Sequence, residues 1–168
     1  MKNDHPHDQS RAVRALIPVT MDHADLLLTW RNDPVVRQNS WNQEVISVDE
    51  HRRWLQRIIK DTKSRAFIIL NESQQPIGTV RFDVQRDDAE INITIAQEFR
   101  GHGYGTSAIE YSCRSFLRQK PFLKFISARI KKQNEASLKA FKKAGFVEMN
   151  RSDGVVHLIF EETRIKTP

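Results

Sequence analysis

The chain has little of several things that would narrow its function at once. Its 168 residues include a single cysteine, Cys113, which excludes an intrachain disulfide and any group of thiols at metal-ligand spacing. Cys113 stands in an apolar-periodic stretch and reads as core filling rather than as a nucleophile. No apolar run approaches the roughly 20 residues needed to cross a bilayer, and residues 1–10 are polar without an apolar signal region. A cytoplasmic protein without membrane contact is expected. Glycine and proline number six each, and 39% hydrophobic with 29% charged residues is ordinary globular usage, so fibrous and disordered classes fall away. The charge is one-sided, +6 with a pI near 9.7, which suits an anionic partner or phosphorylated small molecules. Yet the basic residues are dispersed, and Lys131-Lys132 and Lys139 with Lys142-Lys143 read as solvated faces. A nucleic-acid-binding protein would have the charge but would also want a recognisable motif, a concentrated basic helix or a stacking platform, and none is present.

The length predicts one domain, residues 12–162, between a polar N-terminal tail at 1–11 and a C-terminal tail at 163–168. His5 and His7 in the first tail have no further ligands nearby, so no metal is expected. A first strand is expected at 12–18 and a helix capped by Asp22 running through Trp30. A second short helix should start at Asp33-Pro34, and a third at 47–60 carries the apolar stripe Trp54, Leu55, Ile58 and Ile59. Strands are expected at 65–70, 77–84 and 89–96, close enough in sequence to be antiparallel neighbours. After a glycine cluster, Ile109, Cys113, Phe116 and Leu117 recur at helical spacing until Pro121, and 122–130 reads as a strand. Asn134 caps a further helix that Gly145 ends, with Phe146 packing back on Phe141. Strands at 146–150 and 155–161, joined at Asp153-Gly154, complete the reading. The class is α+β: a mixed, mostly antiparallel sheet of about seven strands flanked by helices.

The most informative segment is Arg100-Gly101-His102-Gly103-Tyr104-Gly105-Thr106, between a strand and an amphipathic helix. Glycines there let the backbone turn sharply and approach a ligand, while the unpaired N–H groups of the first helical turn face an anion. The segment lacks the Gly-Lys-Ser/Thr ending of a P-loop, and its glycine spacing is not that of a dinucleotide fold. A plain strand-to-helix turn is the alternative to a pyrophosphate cradle.

Residues 100–105 match the Q/R-x-x-G-x-G/A signature of the GNAT acetyltransferase superfamily, and the order of elements from 12 to 161 is similar to that family throughout. The resemblance implies a GNAT fold and an acetyl-CoA-dependent N-acetyltransferase. Coenzyme A would pair its pantetheine amides with the strand edge at Ile93, Thr94 and Ile95. Its pyrophosphate would lie on residues 101–106, with Arg100 beside them. Asn134 would hold the pantetheine arm or merely cap its helix, and Phe141 would border the cofactor in the position where the family often carries a tyrosine acid. Its lack of a hydroxyl leaves Tyr104 and Tyr111 as weak substitutes or leaves the proton to solvent. Arg129 likewise stands where some N-terminal acetyltransferases of the family carry glutamate.

Acyl transfer needs a neutral amine and an acceptor for its proton. Alternation along 89–96 puts Ile91, Ile93 and Ile95 on one face and Glu90, Asn92 and Thr94 on the other. Glu90 resembles the strand carboxylate that several GNAT enzymes use as general base; a strand-end surface glutamate is the alternative. The strings Trp30-Arg31-Asn32-Asp33-Pro34, Trp41-Asn42-Gln43-Glu44 and Glu50-His51 with Trp54 are similar to enzymes acetylating amino-sugar nucleotides, as in the 4-amino-sugar step of pseudaminic-acid-type synthesis. That implies a small-molecule amine bearing a nucleotide diphosphate, with Arg31, Asn42, His51, Arg81 and Asn92 as substrate residues, although an exposed helix histidine is the ordinary reading of His51. Two rivals are an acetyltransferase of protein N-termini of the RimJ/RimL kind and a CoA-binding sensor without catalysis. Monomer and homodimer are both compatible with the sequence.

Overall fold

The computed structural model describes residues 12–162; both expected tails, with His5 and His7, lie outside the described residues. The elements are β1 (Val13–Pro18), α1 (Ala24–Asn32), α2 (Pro34–Asn39), α3 (Val48–Lys60), β2 (Ser64–Asn71), β3 (Pro76–Val84), β4 (Asp88–Ile95), α4 (Tyr104–Gln119), β5 (Phe125–Lys131), α5 (Glu135–Lys143), β6 (Val147–Ser152) and β7 (Val155–Phe160). Seven strands form one sheet in the order β1-β2-β3-β4-β5-β7-β6. Every neighbouring pair is antiparallel except β4 with β5, so the expected α+β class is the one formed.

Period-two alternation divides the core between the two faces of the sheet. Phe82 and Ile91 face α4 and pack with Ala108, Ile109, Cys113 and Phe116. The Phe82 and Phe116 rings stack at 4.1 Å, which adds about 0.5–1.5 kcal/mol beyond the area they bury. On the other face Ile68 packs with Leu27 and Trp30 of α1 and Leu55 of α3. The helix stripe read from sequence is thus the packing surface, although Ile59 turns out 43% exposed.

Two expectations about boundaries need correction. Thr20, not Asp22, opens the first helical stretch: its backbone N–H donates to His23 Nδ1 at 3.0 Å, and a 3-10 turn, Met21–His23, precedes α1. Residues 122–124 do not join β5, because the Leu123 N–H folds back to the Lys120 carbonyl and leaves Phe122 55% exposed. The ends of α5 and of the last hairpin follow the expectation. Gly145 has φ +99°, its N–H donates to the Lys142 carbonyl and the Phe146 N–H to the Phe141 carbonyl, which is a Schellman cap. Asp153 and Gly154, both at positive φ, turn β6 into β7.

Candidate functional site

The parallel pair β4 and β5 is short. It registers Asp88 with Phe125, Ala89 with Ile126 and Glu90 with Ser127, and then stops. Beyond that point β4 stays with β3 as far as Ile95 opposite Gly78, while β5 stays with β7 as far as Lys131 opposite Val155. Their facing edges therefore part into a fork. The Ala96 N–H donates to the Ile77 carbonyl of β3, so by alternation Thr94 also turns its backbone groups to β3, while Ile93 and Ile95 turn theirs into the fork. Gly78 permits this geometry, since a Cβ there would lie 2.2 Å from the Thr94 carbonyl oxygen.

The glycine turn closes the end of the fork. Gly101 and Gly103 have φ +73° and +85°, with nothing within 4 Å of where a Cβ would stand. Conformation rather than crowding selects glycine, and the space beside the backbone is open. Residues 101–103, including His102, are exposed. Gly103 is the N-cap of α4, so the N–H groups of Tyr104, Gly105 and Thr106 form its first turn and have no intrahelical acceptor. The Tyr104 ring is buried edge-on to Phe99, so its backbone alone faces outward from the turn.

Arg100, expected beside the pyrophosphate turn, has partners within the chain. Its Nε donates to the Ile95 carbonyl at 2.9 Å and its Nη1 lies 3.0 Å from Asp33 Oδ1. It ties the turn to the strand end and to Asp33, which also caps α2 through the Val36 N–H at 3.0 Å. Against the burial that opposes it, the Val36 N–H and Arg100 hold the Asp33 carboxyl below its ordinary range.

On the far side of the fork, Asn134 Oδ1 accepts from the Ser137 N–H at 3.2 Å. That is a helix cap, and it leaves the side-chain Nδ2 outside the cap. Phe141, expected to border the cofactor, is buried with its ring edge-on to Phe146 at 4.9 Å. The Tyr104 hydroxyl donates to Glu72 and the Tyr111 hydroxyl to the Arg14 carbonyl, so both are directed to the β1–β3 side rather than to the fork. Burial pushes the Cys113 thiol up, away from thiolate chemistry.

The sheet face opposite α4 carries the polar residues of β3, β4 and β5, roofed by α3 and the loop before it. Glu90 receives two hydrogen bonds from Arg129, Nε to Oε2 at 3.0 Å and Nη2 to Oε1 at 3.1 Å. Arg81 gives Nε and Nη2 to Asp83 Oδ2 at 3.0 and 2.9 Å and lies 5.7 Å over the Trp54 ring; its expected service to a substrate phosphate competes with that internal pair. Asn92 sits 3.5 Å from the same oxygen. Trp54 also packs against His51, with ring centres 5.4 Å apart and planes tilted by 32°.

His51 corrects the expectation of an exposed histidine: it is 4% exposed, and its Nε2 has no hydrogen-bond partner. Burial pulls the imidazole below its ordinary range; the Ala24 carbonyl opposes this, and Arg31 and Arg52 add to it. Arg31 donates Nη2 to the Asn42 carbonyl at 2.7 Å, while its Nη1 is buried without a partner. Burial and Arg37 lower its affinity for its proton, with Glu50 opposing. The Asn42 side chain accepts from the Glu44 N–H and shapes the loop. Sequence reading missed Asn32, whose side chain both donates to and accepts from the Ile46 backbone, and Arg37, which holds the Gln43 carbonyl. It missed as well Lys131, which donates to the Ser40 carbonyl at 2.6 Å. Polar residues spaced along α1 and α2 give no signal that they grip one distant loop.

Among the described residues no group of acidic, histidine or cysteine side chains has the makings of a metal site, and no helix is long and apolar enough to cross a membrane. No curated protein sequence matches the chain. Among solved structures, spermidine N-acetyltransferase from Vibrio cholerae, in complex with CoA and spermine, is similar with a TM-score of 0.78 at 19% identity, over 88% of this chain and 94% of that one. A domain from Methanocaldococcus jannaschii gives 0.76 at 22% identity over 89% and 99%. The aminoglycoside acetyltransferase AAC(6')-Ib, in complex with paromomycin and acetyl-CoA, gives 0.78 at 17% identity over 93% and 98%. The fold is shared at this distance, and residues 15–147 match the acetyltransferase (GNAT) domain family itself. The chain, forked strands and glycine turn included, belongs to the GNAT acetyltransferase family.

Proposed function

We propose that this chain transfers an acetyl group from acetyl-CoA to the primary amine of a nucleotide-linked amino sugar. The fork and the glycine turn fit coenzyme A: the Ile93 backbone groups and the Ile95 N–H face the fork and can pair with pantetheine amides, while Arg100 already occupies the Ile95 carbonyl, and the open turn at residues 101–106 offers N–H groups to a pyrophosphate. Bound there, acetyl-CoA supplies an activated acyl thioester. The chain's own contribution is to hold the amine beside it and to take the amine's proton. Glu90 stands where the fork opens, and each of its oxygens keeps a lone pair beyond the Arg129 bonds, to accept that proton directly or through water. Phe141 has no proton to give, so the departing sulfur takes one from solvent.

The acceptor class rests on one observation, the buried donor Arg31 Nη1, which has no partner, in the wall that roofs the fork. A buried donor without an acceptor is costly, and a substrate phosphate would satisfy Arg31, while the unpartnered His51 Nε2 is left to accept from a substrate hydroxyl. A polyamine would bring cations to a wall already carrying Arg31, Arg37, Arg81 and Arg129. The test is acetyl-CoA consumption across nucleoside-diphosphate 4-amino sugars, peptide N-termini and spermidine. Nucleotide sugars should give the highest kcat/KM, and Arg31→Met should raise their KM by about tenfold, the loss of one charge-assisted contact. Faster turnover of spermidine or of a peptide would reject the acceptor assignment while leaving the transferase reading in place.

A further inference from the structure

The Glu90–Arg129 pair occupies an unusual place. Glu90 and Ser127 are the last residues that β4 and β5 register, and Arg129, two positions on along the same face of β5, reaches back across the opening to Glu90. Its two bonds engage both carboxylate oxygens and so fix the plane of the carboxylate as well as its position. Arg129 is itself held from the other side, because its guanidinium lies 5.6 Å from the Trp41 ring centre. Lys131 shares that ring at 5.7 Å and anchors the Trp41 loop through the Ser40 carbonyl.

Stability alone does not account for this arrangement. The Arg129 side chain is 49% exposed although that of Glu90 is only 17% exposed, so water screens the pair in part and its contribution to folding is modest. The arrangement is well suited to orienting a carboxylate whose remaining lone pairs must meet a substrate. We infer that Arg129 is a positioning residue for the acetyl-transfer reaction: it holds Glu90, with Trp41 behind it, in the single orientation from which the carboxylate reaches the acceptor amine. The inference rests on the proposed role of Glu90 as proton acceptor and adds to it a residue that touches neither substrate.

A double-mutant cycle on kcat tests it, since residues that act as a unit are non-additive. Glu90→Gln should lower kcat by roughly 10²-fold, as removal of a general base does. Arg129→Met, which keeps much of the stem, should lower kcat by about tenfold with KM for acetyl-CoA unchanged. In the Glu90→Gln background Arg129→Met should cost nothing further. Arg129→Lys, which keeps the charge without the fork of donors, should recover part of the loss. If Arg129→Met fails to fold, Trp41→Leu, at a position 54% exposed, carries the same cycle with a smaller drop. Wild-type kcat in Arg129→Met, or an undiminished effect of it beside Glu90→Gln, would overturn the inference and leave Glu90 as the base. Wild-type kcat in Glu90→Gln would overturn the base itself and the inference with it.

Discussion

The two limbs that meet at Glu90 are made of different material. The cofactor limb is backbone: strand-edge groups at Ile93 and Ile95, and a turn whose Gly101 and Gly103 sit at positive φ beside open space. The acceptor wall is side chain: Arg81 on Asp83, Arg129 on Glu90 and Arg31 on the Asn42 carbonyl, each partnered within the protein before a substrate arrives. A backbone site is preorganised by the fold, whereas Arg31 and Arg81 have to exchange partners to meet a substrate anion, and of the three only Arg129 is to keep its partner. Glycine substitutions should therefore act on the first limb through strain or collision, and charge substitutions on the second through lost contacts.

The largest effect is expected at Gly78, where the two β4 edges are set. A methyl group there would lie 2.2 Å from the Thr94 carbonyl oxygen, a backbone atom that cannot swing aside. Gly78→Ala should cost about 3 kcal/mol of stability in urea unfolding and weaken coenzyme A binding with it; unchanged unfolding would show that β3 and β4 give way freely. Next comes Gly103→Val. Space is available, so the penalty is the φ of +85°, worth about 1–3 kcal/mol, taken at the turn itself. Calorimetry should show coenzyme A affinity falling by about 10²-fold in a folded protein. Unchanged affinity there would remove the turn from the cofactor limb and break the comparison.

The same difference in material decides what was legible in the sequence. A glycine pattern between a strand and a helix announces a backbone site, because few other demands put three glycines in five residues there. The Asn134 cap, the Gly145 turn and the Asp153-Gly154 hairpin were readable for the same reason: each is a local conformation that its own residues require. His51 was misread because its burial comes from α1 across the helix interface, which helical spacing within α3 does not encode. Arg100 kept its place in the motif, yet its partners, the Ile95 carbonyl and Asp33, come from the strand end and from a helix that precedes it by more than sixty residues. The fork was implied only by family likeness, since nothing in the composition of β4 or β5 says that their pairing stops at Glu90.

A smaller effect is expected at Phe141, on the cofactor side of the fork. The ring is 5% exposed and edge-on to Phe146, so a hydroxyl added to it enters the core. Phe141→Tyr should lower stability by about 1–3 kcal/mol yet leave kcat within about tenfold, less than a full general-acid contribution. Loss of activity in Phe141→Leu, with coenzyme A binding and folding intact, would return this position to the chemistry.

The smallest expected effect separates the limbs by pH. Burial, with Arg31 and Arg52 adding to it, makes the His51 imidazole harder to protonate in the fold. The unfolded chain takes that proton at the ordinary value near 6.5. Below roughly pH 6.5 the unfolded state therefore binds more protons than the native state, and stability falls with pH until the folded imidazole is itself protonated. Asp33, Asp61, Asp87 and Glu148, also held below their ordinary range, begin to lose their contributions near about pH 5 and lose most of them below it, so the interval from about pH 7 to pH 5 belongs mainly to His51. Between pH 7 and pH 5 the wild-type Tm should fall by a few degrees, whereas His51→Gln should start lower and stay level. A nucleoside diphosphate bound at Arg31 and His51 would supply the missing negative charge, ease protonation of the imidazole and flatten the wild-type profile. A wild-type Tm level from pH 7 to pH 5 without ligand would mean that the imidazole charges as easily inside the wall as outside it. The wall would then already contain the anion-like compensation that the unpartnered Arg31 donor lacks, and the case for a phosphate there would fall with it.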